Sequence, residues 1–280
     1  MNVYVVDQNA MRKDRNILPF TISNKPDAQF IVPDVALVEM VKTGKWEGTM
    51  RQSFALLAPE AHRTFFSLSV GEAIQNEIRN CKASDRVALL PQDLQKFFRS
   101  FLIELASGSD GDAMSKVRSG IGQTRLELLE HELNADAAKI RVELMVEAWV
   151  RGLDPDIVKR LKNGTYDDAH RLALIKLNGD EFFLKIALDL GMTEPAAKAF
   201  RSQKPMLLRY IYLMVLNALR WVIKDGLSSA KPKIVHNHIM DMQYVLIASF
   251  FDGLLTLDNE ARKVCDDLSV LLAMGASPTS

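Results

Sequence analysis

Two short apolar stretches near opposite ends of the chain, each followed by an acidic residue, limit the fold most strongly. The first is Val3–Val6, which is followed by Asp7 and, two residues later, by Asn9. The second is Gly253–Leu257, which is followed by Asp258 at the head of a predicted helix. Short runs of this kind predict strands. Because open α/β sheets build their sites at the carboxyl ends of strands, both acids stand where a site is expected.

Two more acids take comparable positions along the chain. Gln29–Val32 is predicted as a strand, and the helix that follows it carries Glu39. Near the other end of the chain, apolar residues at helical spacing predict a helix that opens at Asp241. A third strand is predicted over His62–Val70. Four carboxylates are therefore expected at the tips or first turns of elements, namely those of Asp7, Glu39, Asp241 and Asp258.

The middle of the chain has a different character. Pro91–Ala106 is amphipathic, and apolar residues step by three or four between Leu126 and Ala148, so both stretches are predicted as helices. Strand signals are absent from residues 83–205. We therefore expect an α/β domain with a central parallel sheet, formed by residues 1–82 and 206–280 and interrupted by an all-helical insertion at 83–205.

The charge composition excludes a protein that attracts nucleic acid through its overall charge. The 280 residues include 35 basic and 35 acidic side chains, so no overall charge attracts nucleic acid, and binding would need a local patch. Candidates for such a patch are Arg12, Lys13 and Arg15, which follow Asp7 closely, and His238.

Cysteine usage and hydropathy indicate where the protein resides. The two cysteines, Cys81 and Cys265, lie far apart without metal-type spacing, which favours a reducing, cytoplasmic compartment. The N-terminus has no secretory-signal pattern. Met206–Ile223 is long enough to span a bilayer, but charged residues interrupt it, so we expect a buried core helix and no membrane partner.

In the order of its motifs, the chain resembles the PIN domain family of metal-dependent ribonucleases. The resemblance rests on Val-Val-Asp7-x-Asn9, on Glu39, and on Asp241 followed by Thr256-x-Asp258, and it covers roughly residues 1–80 and 206–275. It implies a three-layer PIN-like domain acting on RNA, most readily single-stranded RNA. Many members are toxins with an antitoxin partner or act in defence. The insertion would then bind RNA, a regulatory protein or a second copy of the chain.

Carboxylates gathered at one sheet edge suit a hard divalent cation. Mg²⁺ and Mn²⁺ prefer oxygen ligands and keep open positions for water and phosphate. A cation held this way activates water for attack on a phosphodiester. The hypothesis assigns Asp7, Glu39, Asp241 and Asp258 as metal ligands and catalytic groups. Asn9 and Thr256 would orient those ligands or the water.

Purely structural roles are the alternative explanation for several of these acids. An Asp directly before a helix is often its N-cap, which would explain Asp241 and Asp258. Asp34 and Asp252 suit a cap and a turn residue. The motif His236-x-His238-x2-Asp241 is a weaker zinc-type alternative.

Three functional alternatives stay open at this point. The chain would be a PIN-like scaffold without catalysis, a helical regulatory or adaptor protein whose acids are only caps, or a nuclease that cleaves DNA.

Overall fold

Two compact units make up the chain. The structure, a computed structural model, describes residues 2–12, 15–42, 44–127, 134–223, 227 and 229–275. One unit, here called the sheet unit, comprises Met1–Ala73, Ser84–Leu133 and Met240–Cys265. The other, called the helical unit, comprises Ile74–Ala83, Asn134–Ile239 and Asp266–Ser280. The domain boundaries predicted from sequence stay a prediction.

The described elements are four strands, two short 3-10 helices and thirteen α-helices. The strands are β1 Val3–Val6, β2 Gln29–Val32, β3 Thr64–Phe66 and β4 Leu254–Leu255. The 3-10 helices are Gln8–Met11 and Ala61–Arg63. The α-helices are α1 Ile17–Asn24, α2 Asp34–Val41, α3 Trp46–Phe54, α4 Val70–Asn80, α5 Gln92–Ser107, α6 Asp112–Glu127, α7 Ala135–Arg151, α8 Pro155–Lys162, α9 Asp168–Asp189, α10 Glu194–Ser202, α11 Met206–Ile223, α12 Pro232–Ala248 and α13 Asn259–Ala273.

All four strands pair in parallel, in the order β3-β2-β1-β4. Val5 lies opposite Ile31 on one side and Leu254 on the other, so β1 is central although it begins the chain. The expectation of an α/β chain with a parallel sheet is confirmed. Because the strands are parallel, their carboxyl ends meet at one edge of the sheet.

Two strands are shorter than the sequence predicts, and a polar residue follows each of them. β3 stops at Phe66, and the amide of the next residue, Ser67, still donates to the Val32 carbonyl at the end of β2. β4 contains only Leu254 and Leu255, and the side chain of the following residue, Thr256, donates a hydrogen bond to Asp7. Both strands therefore end in polar contacts at the carboxyl edge.

Helix α5 covers the free edge of the sheet at β3. The Gln95 side chain accepts a hydrogen bond from the Phe66 amide and donates one to the Phe66 carbonyl, both at 2.8 Å. The Phe98 ring stacks on the Phe66 ring with 4.9 Å between centroids. A covered edge strand cannot pair with another chain. The helix predicted at the start of the insertion is thus part of the sheet unit.

Asp252 fixes the amino edge of the sheet. One of its carboxylate oxygens accepts the Val3 amide at 2.8 Å, and the other pairs with Arg86 at 2.8 Å. Arg86 also donates to the Phe250 carbonyl. Asp252 was expected from sequence to be a turn residue, and it also holds the start of β1 in place. It lies at the opposite end of that strand from Asp7.

Helix α11 is the centre of the helical unit. It packs against α7, α8 and α9. It is the one helix among the described residues that is long and apolar enough to cross a membrane, and 72% of its 18-residue window is buried inside the structure. The Glu77 carboxylate accepts the Met206 and Leu207 amides at 2.9 and 3.2 Å and thereby satisfies the first turn of α11.

A buried polar triad joins α9 to α11. Lys176 donates to Asp180 at 2.7 Å and to the Tyr212 hydroxyl at 2.9 Å, and that hydroxyl donates to Asp180 at 2.6 Å. The Tyr212 ring lies directly against Gly179, where a Cβ atom would overlap it. Glycine is thus required at this position because the triad holds the ring in place.

We expect Gly179→Ala to destabilise the protein by about 1–3 kcal/mol, because the added methyl group overpacks a ring that cannot move aside. Gly48→Ala in α3 is the matched control, since nothing lies within 4 Å of its added Cβ. That control should stabilise by about 0.5–1 kcal/mol through helix propensity. Urea unfolding measures both, and equal stabilisation by the two variants would contradict the packing described here.

Candidate functional site

Asp7 and Thr256 meet at the carboxyl edge of the sheet. Val6 lies opposite Leu255, so the next residues of the two strands are also neighbours. The Thr256 hydroxyl donates to Asp7 Oδ2 at 2.6 Å, and the Asn9 side-chain amide donates to the same oxygen at 2.5 Å. Asp7 is 4% exposed and Thr256 is fully buried. The structure thus brings together three of the residues predicted from sequence.

Asn9 ties the two chain ends at a second point. The Asn9 side-chain Oδ1 accepts a hydrogen bond from the Leu257 backbone amide at 2.9 Å. The backbone amide of Asn9 donates to Asp7 Oδ1 at 3.3 Å. Asp7 also caps the 3-10 helix Gln8–Met11 with extended backbone angles. The local turn and the long-range contact therefore fix the same carboxylate.

Glu39 reaches this edge from α2 and is held by a tyrosine of α12. The Tyr244 hydroxyl donates to Glu39 Oε2 at 2.7 Å. Tyr244 is 1% exposed, so its hydroxyl needs this partner. Lys42 lies 3.6 Å from the other Glu39 oxygen. Glu39 is therefore oriented on both sides.

Asp258 is a helix cap and a neighbour of Asp7. Its Oδ1 accepts the Glu260 and Ala261 amides at 2.7 and 3.0 Å, which confirms the N-cap reading. Its own amide donates to the Thr256 hydroxyl at 3.0 Å. One hydroxyl thus links Asp7 to Asp258, and the cap reading does not remove Asp258 from the site.

Burial and neighbouring charges make Asp7 an unusual carboxyl. Burial raises its pKa to about 6. The hydrogen bonds from Thr256 and Asn9 oppose this shift, and the charges of Glu39 and Asp258 add to it. The three carboxyls therefore repel one another across the edge. Burial, and then the charges of Glu39 and Asp7, raise the pKa of Tyr244 well above its ordinary value, so its hydroxyl stays a donor at neutral pH.

The raised pKa of Asp7 has a consequence for stability. The folded protein favours the protonated carboxyl, since its pKa exceeds the ordinary 3.8. The stabilisation is fully present below pH 3.8 and is lost as the pH rises through about 6. At neutral pH the ionised site destabilises the fold unless a cation compensates the charge.

Asp241 is not an N-cap. Helix α12 begins at Pro232, so Asp241 lies in its middle, and the prediction that the helix opens at Asp241 is wrong. The helix begins nine residues earlier, at Pro232, a residue suited to the first helical turn. Asp241 is half-buried and stands three residues before Tyr244, on neighbouring turns of one helix face. Asp34 likewise lies in the first turn of α2, whose cap position is Pro33.

The predicted substrate-binding residues are less closely tied to this edge. Arg12 follows the first 3-10 helix and is exposed, as is Arg15, whose amide donates to the Arg12 carbonyl. Lys13 lies outside the described residues. His238 belongs to the helical unit, where its Nδ1 lies 3.1 Å from Arg220 Nη1 and accepts a hydrogen bond from it. That bond places the His238 proton on Nε2.

Sequence reasoning missed two residues at this edge. Tyr244 was not singled out, although a buried tyrosine requires a hydrogen-bond partner, and this was the available signal. Arg262 was not singled out, although it follows Asp258 by four residues. Its Nη2 donates to the Thr256 carbonyl at 2.7 Å.

The oxygen donors at this edge match the chemistry that a hard cation prefers better than they match the geometry of a metal site. Oxygen donors with a mutual repulsion suit Mg²⁺ or Mn²⁺. Among the described residues, however, no three His, Cys, Asp or Glu side chains are arranged to hold one metal ion. The carboxylate oxygens are instead engaged by Thr256, Tyr244 and the amides of α13. Each of these carboxylates keeps further lone pairs that a cation would use.

No family model, curated protein or solved structure matches the chain.

We expect Asp258→Asn to lower the pKa of Asp7, because the substitution removes a nearby charge while asparagine caps the helix equally well. The titration midpoint of the Asp7 carboxyl, followed by carbon-detected NMR, should move from about 6 toward its ordinary value.

Asp93→Asn is the control for this titration, since the Asp93 side chain is 97% exposed and its loss should leave the midpoint unchanged. An unchanged midpoint in Asp258→Asn would contradict the electrostatic coupling of the two acids.

Proposed function

We propose that the protein is a divalent-metal-dependent nuclease that hydrolyses RNA phosphodiester bonds, with an endoribonuclease the best fit. The observation that carries this proposal is the convergence of Asp7, Glu39 and Asp258 at the carboxyl edge of a parallel sheet. Burial, and to a smaller extent the charges of the two neighbouring acids, raise the pKa of Asp7 to about 6, and a bound cation would relieve this unfavourable charge.

Asp7, Glu39 and Asp258 would hold Mg²⁺ or Mn²⁺, with Asp241 as a further ligand from α12. When bound, such an ion supplies an activated water and stabilises the charge that develops on the phosphate. The fit rests on the oxygen donors and on their shared charge.

The side chains around the carboxylates have distinct tasks in this proposal. Thr256 and Asn9 orient Asp7, and Tyr244 orients Glu39. Because each carboxylate already has a donor, the chain fixes the direction of its remaining lone pairs before any ligand arrives. The burial of Asp7 and Thr256 keeps bulk water away from this part of the site.

A PIN-like fold belongs to the same proposal. The parallel order β3-β2-β1-β4, with acids after β1 and β4 and on the helix after β2, supports it. So do the sequence motifs around Asp7 and Thr256-x-Asp258. A toxin or defence role, an antitoxin or regulatory partner and a cytoplasmic location are expectations that follow from the resemblance.

We expect purified protein to cleave labelled single-stranded RNA with Mn²⁺ or Mg²⁺ and not with EDTA. Asp7→Asn and Glu39→Gln should each reduce the rate at least about 100-fold, since an ion clamp contributes several kcal/mol. The rate should also fall as the pH drops below about 6, because protons compete with the cation at Asp7.

Tyr244→Phe tests how Glu39 is held within the same assay. Loss of its hydrogen bond to a carboxylate should reduce the rate about tenfold, at roughly 1.4 kcal/mol. Tyr4→Phe is its matched control, since the Tyr4 hydroxyl contacts Asn2 near the opposite edge of the sheet. Circular dichroism verifies folding of every variant. Metal-independent cleavage, or full activity in folded Asp7→Asn, would refute the proposal, and cleavage of DNA alone would reassign the substrate.

One observation favours a second candidate, a PIN-like scaffold without catalysis. The absence of a ready-made three-donor metal cluster among the described residues suits a protein that uses this edge structurally. In that case Mn²⁺ leaves the melting temperature unchanged, and Asp7→Asn at pH 8 stabilises the fold by removing the buried charge.

A further inference from the structure

We propose that Arg262 binds a phosphate group of the nucleic-acid strand beside the carboxylate site. This inference rests on the proposed nuclease function and adds a substrate contact that the sequence motifs did not indicate. Arg262 lies in the first turn of α13 and belongs to the sheet unit together with Asp7, Glu39 and Asp258.

Two neutral acceptors hold the Arg262 guanidinium at the site. Its Nη2 donates to the Thr256 carbonyl at 2.7 Å, and its Nη1 donates to Asn259 Oδ1 at 3.2 Å. The hydroxyl of the same Thr256 contacts Asp7. One residue thus separates the anchored cation from the central carboxylate, and the guanidinium has a defined direction before a ligand binds.

The charge of Arg262 is not used by a neighbouring acid. Asp258 precedes it by four residues, a spacing that often gives an ion pair on a helix. Asp258 instead accepts two backbone amides, and within the described part of the chain no carboxylate forms an ion pair with Arg262. The Arg262 residue is exposed to solvent. A guanidinium carries five donors, so several remain for the oxygens of a phosphate.

A purely structural role for Arg262 would be to fasten α13 to the end of β4. That role needs its hydrogen bonds and not its charge. The number of phosphates neutralised by the protein separates the two roles, because each phosphate contact on a single strand contributes about 0.7 to the slope of log K against log salt concentration.

Phosphate binding by Arg262 is tested in the full chain carrying Asp7→Asn, with EDTA present, so that RNA is not cleaved. The probe is a fluorescein-labelled single-stranded 15-nucleotide RNA. Fluorescence anisotropy between 50 and 400 mM KCl gives Kd and the salt slope. Arg262→Gln should raise Kd roughly fivefold to tenfold and reduce the slope by about 0.7. Arg262→Lys keeps the charge, so its slope should stay unchanged while Kd rises less than in Arg262→Gln.

Lys263→Gln is the matched control, because the next residue is also an exposed cation of α13. It should change Kd less than twofold. Equal effects of Arg262→Gln and Lys263→Gln, an unchanged slope in Arg262→Gln, or no RNA binding at 50 mM KCl would overturn the inference. Arg262-dependent binding by a protein that never cleaves RNA would refute the nuclease function and leave the phosphate contact standing.

Discussion

The hydrogen bond from the Thr256 hydroxyl to Asp7 is the contact on which the sheet edge depends. It joins residues 249 positions apart, and the same hydroxyl accepts the Asp258 amide. Strand β4 has only two residues, so side-chain contacts at its end do much of what a longer ladder would do. Around this bond Asn9 fastens both chain ends, and the charges of Glu39 on α2 and of Asp258 before α13 act on Asp7. The closure of the sheet and the assembly of the acids therefore have one cause.

Bringing these acids together costs free energy when no positive charge compensates them. A buried carboxyl with a pKa near 6 next to two other acids is ionised at neutral pH against the preference of the fold. Two cations lie near the edge: Lys42 Nζ is 3.6 Å from Glu39 Oε1, and Arg262 Nη2 donates to the Thr256 carbonyl. Strongly perturbed carboxyls cluster at functional sites, and a divalent cation held by these acids would relieve their repulsion.

Sequence predicted the strands of the central pair and the order of the acids better than it predicted their surroundings. The β-branched run before Asp7 and the run Gln29–Val32 have the observed bounds, because local pattern decides such buried strands. The start of α12 was misplaced by nine residues, because Pro232 is a good first helical residue and polar residues follow it before the apolar face resumes. Tyr244 and Arg262 were missed because their partners, Glu39 and Thr256, come from distant or non-helical segments that no local period reveals. The buried triad of Lys176, Asp180 and Tyr212 was invisible for the same reason.

The most direct measurement of the central claim is an anomalous difference map from crystals soaked in MnCl2. We expect a peak at the carboxyl edge, about 2.0–2.6 Å from oxygens of Asp7 and of at least one of Glu39 and Asp258, with Tyr244 still bonded to Glu39. A map with no peak at this edge, in which Asp7 remains bonded only to Thr256 and Asn9, would contradict a metal site there.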